Sequence, residues 1–179
     1  VFQVVSFIST TGFGNADNAL WPVLANVFLL LAAFHCGCSG STTGGIKADR
    51  MLIIFKEIGN EFRRRLHPSS VFCTKVDGHT VSNDQVSAVF LYFVAYVFIL
   101  FMSFMAVLMS GVEISDAFSG TLASLGNVGP GLGPLGTMGN YASQTAFAKM
   151  AYTTVMFLGR LEIFPVLAVL HLMLNLKKK

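Results

Sequence analysis

Charged residues are scarce in this chain. Only 12% of its 179 residues are charged, whereas 54% are hydrophobic and 17 residues are phenylalanine. The mean hydropathy is +0.66. So few charges cannot cover a water-exposed surface, which excludes an ordinary soluble domain. The composition predicts a protein of the lipid bilayer.

Cysteine is also rare, and its placement excludes a disulfide framework. The chain has 3 cysteines, two of them in the stretch His-Cys-Gly-Cys at 35–38 and the third at position 73. His35, Cys36 and Cys38 are metal-ligand types, but a tetrahedral site needs four ligands, or three and a water, and nothing nearby supplies the rest. We therefore expect no metal centre built from these side chains.

Enzyme motifs are absent or imperfect. The stretch GLGPLG at 131–136 matches a dinucleotide-binding pattern, but no strand precedes it and prolines crowd it. The stretch GSTTGGIK at 40–47 resembles a phosphate-binding loop, but Ile46 stands where the lysine belongs. Neither a Ser/His/Asp arrangement nor paired carboxylates are visible, so we expect no enzyme.

One segment has the length and composition of a membrane span. Residues 86–110 contain no charged side chain. At about 1.5 Å of rise per residue they cross a hydrocarbon core of roughly 30 Å with some tilt. Ser82 followed by Gln85 predicts a capping box at the start of this helix.

Basic residues are distributed unevenly. Lysine and arginine cluster between residues 47 and 75 and at 177–179, whereas 11–20 and 111–145 carry acidic residues and no basic one. The positive-inside rule places the basic segments in the cytoplasm. The acidic outer face then favours the arrival of cations.

A segment too short to cross the bilayer follows the span. Residues 116–125 predict a half-helix, with Ser115 as its N-cap and Gly126 as its end. The glycines and prolines of 126–136 cannot continue a helix, and irregular backbone at this depth must line a cavity or be buried in protein. A last helix is predicted from 143 to 176.

The start of the chain repeats this order without the first helix. Residues 1–9 end a half-helix, Thr-Thr-Gly-Phe-Gly at 10–14 forms a loop, and a returning helix begins at Leu20. Gly12 aligns with Gly129 at a spacing of 117 residues. The negative end of each helix dipole would then face a loop of backbone carbonyls, which suits a dehydrated cation.

Four motifs together resemble the Trk/Ktr/HKT superfamily of potassium transporters, in particular its bacterial Trk-type membrane subunit. They are STTGFG, GCSGSTTGGIKADR, GNVGPGLGP and LGRLEIFPVL. The resemblance implies an all-α integral membrane fold of potassium-channel-like helix–pore loop–helix repeats, in which one transmembrane helix is broken by an intramembrane loop. We expect a multi-pass protein of the bacterial inner membrane.

The resemblance also implies how the chain is divided. Residues 1–59 would form the pore loop and broken second helix of the third repeat, 60–85 a cytoplasmic connection, and 86–179 the complete fourth repeat. Because the earlier repeats are missing and the first residue is Val1, we expect a piece of a longer protein.

The function implied by the resemblance is potassium uptake through a filter of backbone carbonyls. Potassium would be the substrate, bound at the filter, and no cofactor is implied. The implied filter residues are Thr10, Thr11, Gly12, Phe13, Asn127, Val128, Gly129 and Pro130.

The helix that returns from the first loop is interrupted at 35–45 by a run of small and polar residues. In the family this interruption is a gate beneath the filter, and small residues suit a backbone that moves. A kinked helix packed against a neighbour stays open as an alternative. The implied gate residues are Gly37, Ser39, Gly40, Gly44, Gly45 and Arg160.

Arg160 would lie about 25 Å down the last helix, near the middle of the bilayer. An unpaired cation there costs at least about 2.5–3.5 kcal/mol, so its side chain must face protein or water. A salt bridge to Glu162 is disfavoured because side chains two residues apart lie on different helix faces. Lys149, near the start of the same helix, is interpreted as structural.

The main cytoplasmic surface is predicted between residues 56 and 84. KEIGNEFRRRL predicts an amphipathic helix ended by Pro68, and Asp77-Gly78 predicts a hairpin turn. The resemblance implies a cytosolic nucleotide-binding regulatory subunit as partner, a homodimer, and no nucleic acid. Candidate partner contacts are Arg63, Arg64 and Arg65; a basic, lipid-facing loop is the alternative.

Other functional classes were weighed on the same residues. An ion-coupled secondary transporter of a small solute also uses broken helices at the midplane. A proton relay, however, requires more intramembrane carboxylates than the last helix contains. A scaffold protein has no need of two glycine loops in the membrane. The sequence leaves open the choice between potassium and sodium, and between a channel and a coupled transporter.

Overall fold

The computed structural model describes residues 1–38, 40, 41, 43–67, 73–76, 78–161 and 165. Helices dominate this part of the chain. The α-helices are α1 (Phe2–Ile8), α2 (Val23–Phe34), α3 (Ala48–Leu66), α4 (Asn83–Leu108), α5 (Ile114–Leu125) and α6 (Ala146–Arg160). Two 3-10 turns at Asn18–Leu20 and Gly133–Leu135, and a hairpin of β1 (Lys75–Val76) and β2 (His79–Thr80), complete the described elements.

Helix α4 is the predicted membrane span. Ser82 and Gln85 form the predicted capping box, since the Ser82 hydroxyl accepts from the Gln85 amide and the Gln85 side chain accepts from the Ser82 amide. Of the helices in the described residues, α4 is the one long and apolar enough to cross a membrane by length and composition. Leu91, Val94 and Phe98 are exposed on it, as expected for a surface that faces lipid.

The half-helix is present as α5, but its predicted start was wrong. It begins at Ile114 with Glu113 as its N-cap, and Ser115 instead donates its hydroxyl to Asp116 Oδ1 at 3.3 Å. The helix starts early because Gly111, at φ +82°, turns the chain sharply after α4. Gly126 ends α5 as predicted.

The two returning helices also start later than predicted. Helix α2 begins at Val23 and not at Leu20, because Trp21 precedes Pro22 and takes the extended conformation that a following proline favours. Helix α6 begins at Ala146 and not at 143, because a turn occupies the preceding residues and Thr145 caps the Ala148 amide. The predicted end of the last helix at 176 lies outside the described residues.

The segment predicted to be the cytoplasmic connection has a helix and a hairpin, whereas Pro68 and Asp77 lie outside the described residues. Helix α3 continues through the basic stretch to Leu66, and the strands pair as Lys75 with Thr80 and Val76 with His79. Gly78 lies in the turn at φ +82°. Because α3 crosses the boundary placed between residues 59 and 60, that division does not coincide with the end of an element.

Helix α5 is the centre of the packing. It contacts α4 and α6 on one side and α2 on the other, and nearly all of its residues from Ala117 to Leu125 are buried. Helix α1 packs against α2, and α3 packs against α4. Helix α1 is thus connected to α5 through α2.

Candidate functional site

The loops that follow α1 and α5 have the same backbone geometry at the predicted spacing of 117 residues. In each loop the chain turns back and donates successive amides to carbonyls of the preceding helix. Three pairs of hydrogen bonds match. Ser9 N donates to Val5 O and Gly126 N donates to Leu122 O, both at 2.9 Å, and Thr10 N donates to Phe7 O at 3.2 Å where Asn127 N donates to Ser124 O at 3.1 Å. In the third pair, Thr11 N donates to Ser6 O at 3.0 Å and Val128 N donates to Ala123 O at 2.9 Å. The predicted internal repeat is thus confirmed in its backbone.

The backbone dihedrals repeat as well. Thr10 and Asn127 have φ of +53° and +55°, and Gly12 and Gly129 have φ of +73° and +101°. A β-branched threonine in this region is strained by about 1–3 kcal/mol and persists only where its surroundings enforce it. Thr11 N and Gly12 N both donate to Ser6 O, and Val128 N and Gly129 N both donate to Ala123 O, so two successive amides converge on one carbonyl in each loop.

The two loops lie directly against each other. A Cβ at Gly12 would overlap the Val128 carbonyl oxygen and would lie 3.2 Å from Pro130 Cδ. Gly129 differs, because no described atom lies within 4 Å of the position of its Cβ. The contact between Gly12 and Val128 brings together the predicted filter residues of both loops, with Phe13 71% exposed at the edge.

The interruption between α2 and α3 lies against the ends of both short helices. Gly37 N donates to Ile8 O, the last carbonyl of α1, at 3.1 Å. A Cβ at Gly44 would lie 2.5 Å from Gly126 O, at the end of α5. The Gly45 carbonyl accepts from the Tyr92 hydroxyl at 3.3 Å, and Gly45 and Gly40 have positive φ. Ser39 lies outside the described residues.

Comparison with known proteins identifies the family. The family described as TrkH, cation transport protein, matches residues 1–178. The chain belongs to the TrkH family. It is 39% identical over 166 residues to the Trk system potassium uptake protein TrkH of Salmonella typhimurium, covering 93% of this chain and 34% of that protein.

Further relatives agree with this assignment. TrkI of Halomonas elongata is 34% identical over 174 residues, covering 94% of this chain and 35% of that protein. The crystal structure of the potassium transporter TrkH from Vibrio parahaemolyticus superposes with a TM-score of 0.86 at 36% identity, covering 94% of this chain and 36% of that one. The chain spans about a third of the length of the curated relatives it matches. The TrkH-family chain is thus a mostly helical membrane protein with pore-loop repeats.

In this TrkH-family chain, α6 passes directly behind the second loop. Gly159 is buried, and a Cβ there would overlap Leu125 O and lie 2.9 Å from Asn127 Nδ2. Asn127 Nδ2 donates to Met156 O at 3.1 Å. Arg160 follows as the last residue of α6 and is exposed, so it stands one residue beyond the contact with the end of α5.

The metal-ligand types near the interruption do not form a site. Cys36 is buried and donates its thiol to Ala33 O at 2.8 Å. Across the described part of the chain, no group of three or more His, Cys, Asp or Glu side chains is placed to hold a metal ion.

The three consecutive arginines of α3 have different surroundings. Arg64 pairs with Glu57 at 3.0 Å and Glu61 at 3.5 Å, and Arg65 lies 3.6 Å from Glu61. Arg63 is exposed and lines a cavity of about 400 Å³ together with Lys56 and Lys75. Arg64 and Arg65 are thus paired with glutamates of α3, whereas Arg63 lines this cavity.

Sequence reasoning missed the polar residues that connect the outer ends of the two loops. Buried Asn18 donates to Gly131 O at 3.0 Å and accepts from Thr137 N at 3.3 Å, while Thr137 Oγ1 donates to Ala16 O at 2.7 Å. Tyr141 Oη donates to Gly129 O at 2.9 Å. These partners are more than ten residues apart in sequence, so no short-range sequence pattern predicts their contacts.

The contact at Gly12 generates a stability prediction. We expect Gly12→Ala to destabilise the folded complete gene product by more than about 1–2 kcal/mol, because the left-handed backbone and the Val128 carbonyl both oppose a Cβ. Gly129→Ala should destabilise the protein less than Gly12→Ala, since only the backbone conformation opposes a Cβ at residue 129. The thermal unfolding midpoint of the purified protein in detergent measures both.

Gly59→Ala is the matched control for these variants. Gly59 lies within α3, does not have a positive φ, and has open space around its Cβ position. Alanine there should leave the midpoint unchanged or raise it, because alanine favours helix over glycine. Equal midpoints for Gly12→Ala and Gly59→Ala would contradict the tight contact between the loops.

Proposed function

We propose that this chain supplies two adjacent walls of a potassium-selective filter, and that the protein carrying it takes up potassium. The observation that carries the proposal is the duplicated loop geometry together with the contact of Gly12 with Val128. The filter carbonyls are those of residues 10–13 and 127–130. Potassium as the ion is supported by the relatives, which are named potassium uptake proteins.

The electrostatics of the site favour a cation. Helices α1 and α5 end at the loops, so the partial negative charge at their C-termini faces the carbonyls. Rings of carbonyls replace the hydration shell of the ion, which lowers the cost of removing it from water. No described lysine or arginine lies in residues 1–20 or 111–145, so no fixed positive charge on these segments opposes its entry.

We expect Gly129→Ser to weaken the preference of the complete gene product for potassium over sodium while the protein still inserts. Gly129 has left-handed backbone, and a side chain there disturbs the peptide that orients the filter carbonyls. Rubidium uptake by vesicles, in competition with increasing sodium, measures the preference.

Gly78→Ser is the control for this experiment. Gly78 also has positive φ, at +82°, and open space around its Cβ position, but it lies in the cytoplasmic hairpin. It should leave the preference unchanged. If Gly129→Ser keeps wild-type selectivity at normal expression, Gly129 is not part of the filter; if the wild type takes up no rubidium, the proposed function is wrong.

We propose that the interruption between α2 and α3 gates this filter. Its support is position: Gly37 contacts the end of α1 and Gly44 the end of α5, so one segment touches the inner side of both walls. Gly40 has open space around it, which leaves room for movement. Arg160 adds a positive charge on the same inner side, one residue beyond the contact of α6 with Leu125.

We expect Arg160→Ala to raise rubidium flux per inserted protein, because a fixed positive charge below the filter opposes cation flux. Each increment of about 1.4 kcal/mol in the barrier that the charge contributes corresponds to about tenfold in rate, so loss of the charge should raise flux severalfold. Selectivity should be retained, since the filter carbonyls are untouched. Tracer flux normalised to inserted protein measures both.

Lys149→Ala and Arg160→Lys are the controls. Lys149 lies on the same helix, but its ammonium donates to Ala142 O at 2.7 Å near the start of α6, so its loss should not raise flux. Lysine at 160 keeps the charge and should keep flux low. Level or falling flux in Arg160→Ala would contradict the gating role and favour a structural arginine.

We propose that, among Arg63, Arg64 and Arg65, it is Arg63 that makes the main contact with a cytosolic regulatory subunit. Arg64 and Arg65 are engaged with glutamates of their own helix, whereas Arg63 points to a basic cavity shared with Lys56 and Lys75. An acidic surface on the partner would be attracted there. The homodimer that the resemblance implies stays a prediction.

Charge reversal tests this assignment. Arg63→Glu should weaken binding of the regulatory subunit by about three- to tenfold, the range expected for a single exposed charge pair, and more at low salt. Arg65→Glu should have the smaller effect. The measurement is the affinity of the detergent-purified protein for the subunit at two salt concentrations. A larger loss of affinity in Arg65→Glu than in Arg63→Glu would refute the assignment.

A further inference from the structure

Tyr141 places a side-chain hydrogen bond on a carbonyl of the second loop. Its hydroxyl donates to Gly129 O at 2.9 Å, across twelve residues of chain. Gly129 has left-handed backbone, and no described atom outside its chain neighbours lies within 4 Å of its Cβ position. The hydrogen bond from Tyr141 is the described hydrogen bond that the Gly129 carbonyl accepts.

The ring of Tyr141 is itself held in place. It meets the ring of Tyr152 edge to face, with centroids 5.2 Å apart. Tyr152 is buried against Gly120 of α5, and Gln144 N donates to Tyr141 O at 3.1 Å. Because ring and backbone are both anchored, the hydroxyl is presented to the carbonyl without further ordering of the side chain.

The first unit has no tyrosine that matches Tyr141. Residues 1–59 contain no tyrosine. The connection from the loop to the returning helix is also shorter there: α2 begins at Val23, nine residues after Gly14, whereas α6 begins at Ala146, fifteen residues after Gly131. Tyr141 lies within the longer connection. The two loops have the same backbone conformation but differ in the side chains that contact them.

We propose that Tyr141 is a positioning residue that sets ion selectivity by restraining the Gly129 carbonyl, an inference that rests on the proposed filter. A carbonyl oxygen has two lone pairs, so it accepts from the phenol and still faces an ion. A restrained carbonyl cannot move inward to meet a smaller ion such as sodium. Discrimination by this wall therefore depends on a hydroxyl outside the loop.

Tyr141→Phe tests the proposal in vesicles that contain the complete gene product. It removes the hydroxyl and keeps the ring on Tyr152. We expect the sodium concentration that halves rubidium uptake to fall about three- to tenfold, the change in equilibrium constant that one net hydrogen bond supports. Uptake without sodium, per inserted protein, should change less.

Tyr152→Phe is the matched control. It makes the same chemical change on the contacting ring, whose hydroxyl is buried and has no hydrogen-bond partner among the described residues. It should leave sodium competition unchanged. An equal change in both variants would show that the ring pair matters and not the hydrogen bond, which would overturn the proposal.

A second variant keeps the hydroxyl. Site-specific 3-fluorotyrosine at 141 makes the phenol a stronger donor, so sodium should compete less well than in the wild type, and unchanged competition would contradict the proposal. This variant decides the question if Tyr141→Phe fails to insert. If the wild type prefers rubidium to sodium and Tyr141→Phe has the same selectivity, the role of Tyr141 is wrong but the proposed filter is not contradicted. If the wild type takes up no rubidium, the proposed filter itself is wrong.

Discussion

The structure depends on how two stretches of irregular backbone satisfy their polar groups away from water. A membrane offers no solvent partners, so each amide and carbonyl must find one in the protein or in a bound ion. Two successive amides in each loop donate to one carbonyl of the preceding helix, those of Thr11 and Gly12 to Ser6 O and those of Val128 and Gly129 to Ala123 O. In the proposed filter, the loop carbonyls coordinate the dehydrated cation.

The rest of the described fold holds this arrangement in place. Gly12 lies against the Val128 carbonyl, and α6 contacts the end of α5 at Gly159. The outer ends of the loops are connected through Asn18 and Thr137. On the inner side, the interruption between α2 and α3 meets the ends of both short helices. The contacts at Gly12 and Gly159 leave no room for a Cβ, so a larger residue at either position should displace the neighbouring loop.

Patterns within one segment were predictable from sequence. The capping box at Ser82 and Gln85, the apolar span and the 117-residue spacing each depend on residues close in the chain or on a simple alignment, and the structure has all three. Helix starts were less predictable. Its residue type predicted Ser115 as the N-cap of α5. Glu113 takes that position because Gly111 turns the chain earlier.

Contacts between distant segments were not predictable, since spacing does not encode them. The Tyr141 hydroxyl reaches Gly129 because of the turn before α6, and Arg64 and Arg65 differ from Arg63 because of the carboxylates on the same helix. The assignment of filter and gate residues came from resemblance to the family. Their geometry in this chain adds the contacts, but an ion bound between the loops is the observation that the assignment requires.

Anomalous diffraction from crystals of the complete gene product grown with rubidium tests the central claim most directly. Rubidium stands in for potassium and is located by its own scattering. The account predicts a peak on the pore axis, coordinated by carbonyl oxygens of both residues 10–13 and residues 127–130. Well-ordered loops without a peak between them, or a peak bound elsewhere by side chains, would contradict it.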